Sequence, residues 1–191
     1  MANTTQPIKN REDVERLKNY YLTTKRNLRN YALTVVGLNT ALRVRDILSL
    51  KWESVYDFDK ETFRERLETK EKKTGKYQDI ALNNSIVLAL SMLFEEKKPG
   101  AEDFIFPGRG GNALSRYQAF RIIKNAAQEL SLGDHISCHS LRKTFGYHAY
   151  KMGISPALLM EIFNHSSYST TKRYLGLNQD EKDEVFRKIN L

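Results

Sequence analysis

The chain has a single cysteine, Cys138, among 191 residues, so no internal disulfide can staple it and a packed core has to carry its stability. A lone thiol suits a reducing compartment. With nothing but His139 to recommend it, Cys138 reads as a small hydrophobe rather than a nucleophile. No apolar run approaches the length that crosses a bilayer, and the polar start Met1-Ala2-Asn3-Thr4-Thr5-Gln6-Pro7 has no signal-peptide character. These absences point to a cytoplasmic protein with no membrane partner. Internal repeats, low-complexity tracts and long Gly/Ser linkers are missing as well, which leaves one compact unit as the expectation. Metal spacing is lacking: His135 and His139 stand four apart with no Glu between them and no third ligand after them. Gly108-Arg109-Gly110-Gly111 lacks the Gly-Lys-Ser/Thr ending of a nucleotide-binding loop, so no cofactor is expected.

Acidic residues are outnumbered, 23 against 31 Lys and Arg, giving a formal net charge of +8 and a pI near 9.5. That excess favours a polyanionic partner, because neutralising phosphates releases condensed counterions. Hydrophobic residues at 40% suffice for a real core.

The periodicity predicts an α+β chain, mainly α-helical, with a small antiparallel sheet near the N-terminal third. Helices are expected over 10–22 and 25–38, with Thr40 capping a further turn. From Phe63 to Thr69 residues alternate as in a strand, Thr74-Gly75 supplies a hairpin turn, and 77–82 returns. A helix over 85–97 is stopped by Pro99-Gly100, and Phe104-Ile105-Phe106-Pro107 forms an apolar strap. Ser115 caps a helix that turns Phe120, Ile123, Ala127 and Leu130 inward and Arg116, Arg121 and Lys124 outward. Further helices follow over 139–151, after Ser155-Pro156, after a Ser169 cap, and over 180–191.

Several side chains in these elements suit phosphoryl transfer. A phosphodiester gathers negative charge on its non-bridging oxygens as it is attacked, and a guanidinium donates two hydrogen bonds without losing its charge. Arg43 and Arg142 are therefore a candidate clamp, although a lone arginine is most often a solvated surface group. His139 and Arg142 are three apart, so a helix puts them on one face, where an imidazole can trade protons. Lys70, Lys72, Lys73 and Lys76 crowd one turn, and the residues alone do not choose between a catalytic ammonium and a solvated basic loop. Tyr174 is one of ten tyrosines, preceded by Lys172 and Arg173 and nine residues after His165. A phenol attacks at neutral pH only with a base or a strongly cationic pocket.

Taken together, Ala41-Leu42-Arg43-Val44-Arg45-Asp46, Lys73-Thr74-Gly75-Lys76, His139-Ser140-Leu141-Arg142, Asn164-His165-Ser166-Ser167 and Lys172-Arg173-Tyr174 resemble, in order and spacing, the catalytic domain of the tyrosine recombinases, or phage integrases. Ala41, Asp46 and Asn164 depart from the Gly, Glu and Gly more usual there. The resemblance implies that Tyr174 attacks DNA to form a 3′-phosphotyrosyl link. It further implies that Arg43, Arg142 and His165 bind phosphoryl oxygens, His139 assists proton transfer and Lys73 protonates the leaving oxygen. It implies a three-stranded antiparallel sheet near the N-terminal third, and double-stranded DNA as partner, with a homotetramer on DNA and a monomer when free. Lys70, Lys72, Lys76, Arg116, Arg121 and Lys124 are the expected DNA contacts. A type IB topoisomerase-like relaxation activity and a non-catalytic DNA binder are the alternatives. The expected division is a polar leader over 1–10, a catalytic domain over 11–177 and a C-terminal helix over 178–191 that docks on a neighbouring protomer. A core-binding domain ahead of the catalytic one has no room in this sequence, so a catalytic fragment or a short member like the fimbrial-switch invertases is expected.

Overall fold

The computed structural model describes residues 5–73, 75–177, 183 and 186–189. Asn10 caps α1 (Arg11–Asn19), and the chain continues through a π-helical turn at Tyr20–Thr24. Asn27 then caps α2 (Leu28–Asn39), the axis of the fold. Residues 30–38 are all buried, which requires a helix that is apolar nearly all round. Both α4 (Asn84–Lys97) and α6 (Cys138–Lys151) pack directly on it. At Gly37 a Cβ would come within 2.6 Å of Leu141, so the missing side chain sets how closely α2 and α6 approach.

The three-stranded sheet that the resemblance implies is instead two separate two-stranded antiparallel ladders. In one, β1 (Tyr56–Asp57) pairs with β2 (Thr62–Phe63); in the other, β3 (Arg66–Lys70) pairs with β4 (Tyr77–Ala81), Leu67 opposite Ile80. The cause is a change of packing partner at Arg64-Glu65. Tyr56 stacks on Phe94 of α4 with centroids 4.4 Å apart, and Phe63 meets the Tyr56 ring edge-on, pinning the first ladder to that helix. The second ladder buries only Leu67 fully.

Three local expectations also change. Thr40 ends α2, its hydroxyl donating to the Val36 carbonyl, and Arg43 occupies the N-cap of α3 (Val44–Ile47). In α5 (Arg116–Glu129), capped by Ser115 as expected, the buried stripe is Ala119, Ile123, Ala126 and Ala127. Ile123 and Ala127 turn inward as expected, but Ala119 and Ala126 complete the stripe and Phe120 is left 44% exposed. Ser167, not Ser169, caps α8 (Tyr168–Leu175), accepting from Thr170 N at 3.2 Å. The helix expected over 180–191 lies mostly outside the described residues.

α7 (Pro156–Phe163) and α8 form a corner against α6. Residues 5–8 cross the same helix: Lys143 Nζ donates to the Thr5 carbonyl at 2.6 Å, and Ile8 N donates to Thr144 Oγ1 at 2.9 Å. Gly146 makes the corner possible, since a Cβ there would sit 2.5 Å from Leu175 and 2.6 Å from the Phe163 ring. Both neighbours are fully buried and cannot swing aside. Gly146→Ala is therefore expected to destabilise the protein by about 1–3 kcal/mol, read as a lower urea midpoint with an unchanged slope.

Candidate active site

The site is built where the start of α6 meets the α2–α3 connection and the α7–α8 corner. Ser140 Oγ accepts from Ser137 N at 3.0 Å and fixes the first turn of α6. His139 lies in that turn, and Arg142 lies one turn further on, where the helix is buried. Arg142 is 4% exposed, so its charge needs partners. Its guanidinium donates to the Ala41 carbonyl and, at 3.1 Å, to the Phe163 carbonyl, and it covers the Phe163 ring with 4.8 Å to the centroid. Both acceptors come from strained or terminal backbone. Ala41 has φ 55° and Asn164, just after Phe163, has φ 53°, the left-handed region that a Cβ disfavours by about 1–2 kcal/mol. These are two positions where the resemblance expects glycine, and the conformation supplies the reason.

Tyr174, on α8, packs on the same Phe163 ring that the Arg142 guanidinium covers. Its ring packs 5.5 Å from Phe163 and edge-on to His165 at 5.1 Å, with the Lys143 ammonium 5.0 Å above it. Burial raises the Tyr174 hydroxyl above the ordinary phenol value, while Arg142 and Arg43 pull it down. The His165 ring lies flat on Phe163, centroids 5.6 Å apart, and its Nδ1 meets Thr171 Oγ1 at 3.0 Å. Desolvation lowers the His165 pKa, and the positive charges of Arg142 and Arg43 lower it further. His139 keeps an exposed edge, yet it too is lowered, first by desolvation and then by Arg142, Lys143, Arg116 and Arg43. Both imidazoles thus favour the neutral form.

Arg43 leads into α3 and pairs with Glu71, its Nη1 2.6 Å from the carboxylate; Glu71 is 1% exposed. Asn164 Nδ2 donates to the other Glu71 oxygen at 3.2 Å. Buried Asp46 accepts from the backbone of Lys72 at 3.0 Å, so the α3 segment holds the β3–β4 turn at a second point. Nothing in the sequence patterns singled out Glu71. It reads there as one more charge in a lysine-rich run, and only its burial marks it. Lys143 and Thr171 were likewise missed.

The fold therefore gathers Arg43, His139, Arg142, His165 and Tyr174, which are separated by up to 131 positions in the chain. Lys73 stands apart, exposed on the turn, with no hydrogen bond or ion pair among the described residues. Lys70 lies over the Tyr77 ring at 5.5 Å, and Lys72 and Lys76 are exposed beside it. On α5, Arg116 and Arg121 are exposed, whereas the Lys124 ammonium is engaged by the Asp134 carbonyl at 2.6 Å. The Cys138 thiol is pushed up to about 12 by burial, which leaves it without thiolate character. Among the described residues no helix is long and apolar enough to cross a membrane.

Residues 10–181 match the phage integrase family, and the chain belongs to it. It is 36% identical over 183 residues to the probable integrase/recombinase YoeC of Bacillus subtilis (strain 168), covering 95% of each chain. It is 27% identical over 190 residues to tyrosine recombinase XerD of Listeria monocytogenes serotype 4b (strain F2365), where it spans 96% of its own length but 62% of the relative. Among solved structures, its fold superposes on XerH site-specific recombinase bound to a palindromic difH substrate in a post-cleavage complex. There the TM-score is 0.76 at 21% identity, over 97% of this chain and 53% of the other. A lambda integrase dimer bound to a COC′ core site superposes with a TM-score of 0.68 at 17% identity, over 92% and 49%.

Arg142→Met keeps apolar bulk but removes every donor, leaving two backbone carbonyls without their partner. A loss of about 2–4 kcal/mol in chemical denaturation is the expected result, and a value within experimental error of the parent would refute the structural role given to this arginine.

Proposed function

We propose that the chain is a site-specific DNA recombinase that cuts and rejoins DNA through a 3′-phosphotyrosyl intermediate without metal or ATP. The observation that carries this reading is the placing of the Tyr174 ring against Phe163 and His165, with the Lys143 ammonium over it and the buried Arg142 guanidinium covering the same Phe163 ring. A binder has no need of a nucleophile buried among cations. In this reading the Tyr174 oxygen attacks the scissile phosphorus and its proton passes to His139. Arg43, Arg142 and His165 stabilise the negative charge on the non-bridging oxygens. The bond from phosphorus to the 5′ oxygen breaks, and the Lys73 ammonium supplies the proton that oxygen takes up. The phosphotyrosyl ester keeps the energy of the broken bond, so religation by reversal needs no external source.

The exposed basic groups fit duplex DNA. Lys70, Lys72 and Lys76 on the turn and Arg116 and Arg121 on α5 would contact phosphate or groove edges, with Lys124 a weaker candidate because its amine is already engaged. Assembly of four protomers on two duplexes, a cytoplasmic location and docking of the C-terminal segment on a neighbour belong to the same reading.

A duplex nicked next to the scissile phosphate traps the covalent complex, because the released short strand diffuses away. Tyr174→Phe should abolish the trapped band while leaving DNA binding within about twofold; a Tyr174→Phe protein that still forms the band overturns the assignment. A two-site recombination assay run beside supercoil relaxation separates strand exchange from topoisomerase-like activity.

The pH dependence has a defined sign. A phenol raised by burial still holds its proton at neutral pH, so its reactive fraction grows as pH rises. The imidazoles are lowered below 6.5 and remain neutral above it. Trapping should therefore climb from pH 6.5 into the alkaline range, with the acid-side loss falling below pH 6.5. A bell centred on the ordinary imidazole value would contradict this.

A further inference from the structure

Glu71 is the only carboxylate among the described residues that is both 1% exposed and ion-paired to a proposed catalytic residue. It lies between β3 and the turn, two positions before Lys73. Its backbone closes that turn, with Glu71 N donating to the Lys76 carbonyl and Gly75 N donating to the Glu71 carbonyl, each at 2.9 Å. Its side chain runs the other way, into the site, where the two oxygens divide between Arg43 at 2.6 Å and Asn164 at 3.2 Å. One residue thus joins three segments: the α2–α3 connection, the β3–β4 turn and the loop that enters His165. A solvated turn has no use for a buried anion, and burying a carboxylate is costly unless its partners are held in place.

We propose that Glu71 is a positioning residue for the leaving-group step. Its carboxylate moors the base of the turn to Arg43 and Asn164, so that the otherwise untethered Lys73 ammonium is delivered to the 5′ oxygen as the bond to phosphorus breaks. The inference rests on the reading of the chain as a strand-cleaving recombinase and adds a residue to it. Lys73 itself makes no hydrogen bond or ion pair among the described residues, and a long flexible side chain on a mobile base would visit the leaving oxygen rarely. Mooring the backbone two residues away removes that freedom before DNA arrives.

Chemical rescue separates this role from a general structural one. Replacing the bridging 5′ oxygen of the scissile phosphate by sulfur makes a leaving group whose conjugate acid is far stronger, so it departs as thiolate and needs no proton donor. Trapping is measured with oxygen and sulfur substrates for the parent, Lys73→Ala, Glu71→Ala and Glu71→Gln, together with DNA binding and thermal melting. Glu71→Gln guards against a Glu71→Ala protein that fails to fold, because it keeps the size and one acceptor oxygen while losing the charge and exchanging the other oxygen for an NH2 donor.

With the oxygen substrate, Glu71→Ala should trap roughly ten- to hundredfold more slowly than the parent, and Glu71→Gln severalfold more slowly. With the sulfur substrate both should return to within about threefold of the parent, as Lys73→Ala should. A Glu71 defect that persists with sulfur while Lys73→Ala is rescued would overturn the proposal, placing Glu71 in the service of Arg43 or of folding alone. Parent-like trapping by both Glu71 variants on oxygen would overturn it equally. Absence of any Tyr174-dependent product from the parent on either substrate is a different failure, that of the recombinase reading itself.

Discussion

One buried guanidinium organises the candidate site of this protein. Arg142 cannot be charged and buried without acceptors, and both it finds are backbone carbonyls that helices normally leave to solvent or to a cap. To offer them, the chain adopts left-handed backbone at Ala41 and Asn164, two non-glycine residues for which that conformation is a cost. The interaction ties the end of α2, the end of α7 and the body of α6 together, and it sets the cationic surface against which Tyr174 lies. Where α6, α7 and α8 meet, the absent side chain of Gly146 admits Phe163 and Leu175, so apolar packing and the polar tie act on the same corner.

Charge explains the rest of the arrangement. Arg43, Arg142, Lys143 and the imidazoles crowd one region, and two cations close together repel when neither is compensated. Glu71 answers Arg43, the carbonyls answer Arg142, and the Thr5 carbonyl answers Lys143, whose ammonium also covers the Tyr174 ring. Burial first, and then these positive charges, shift His139 and His165 toward neutrality. The result is a cluster of positive charge in which Arg43, Arg142 and Lys143 each have an acceptor within the fold. Lys73 is the exception, and its freedom is what makes the tether at Glu71 worth testing.

Much of this was legible in residue order. Helices with sharp punctuation were readable because their signals are local: Ser115 before α5, Ser155-Pro156 before α7 and Pro99-Gly100 after α4 act within one turn of themselves. The motif order from Arg43 to Tyr174 sufficed for the family, to which the chain belongs over residues 10–181. The single sheet was misread because alternation through Phe63 to Thr69 is continuous in sequence, while the packing partner changes at Arg64-Glu65. On α5 the inward positions Ile123 and Ala127 were read correctly, whereas Phe120 was favoured for its size and close packing took the small Ala119 and Ala126 instead.

Sequence alone determined the chemical types available, their order along the chain and the helical segments that carry them, since each of these depends on a residue and its near neighbours. It could not determine that Glu71 is an interior anion, that Lys124 spends its charge on a carbonyl, or that Ala41 and Asn164 bend into left-handed backbone to serve an arginine far away in the chain. Those outcomes were decided by tertiary structure, because burial and electrostatic pairing depend on which distant segments the core brings within a few ångströms, and local spacing holds no record of that.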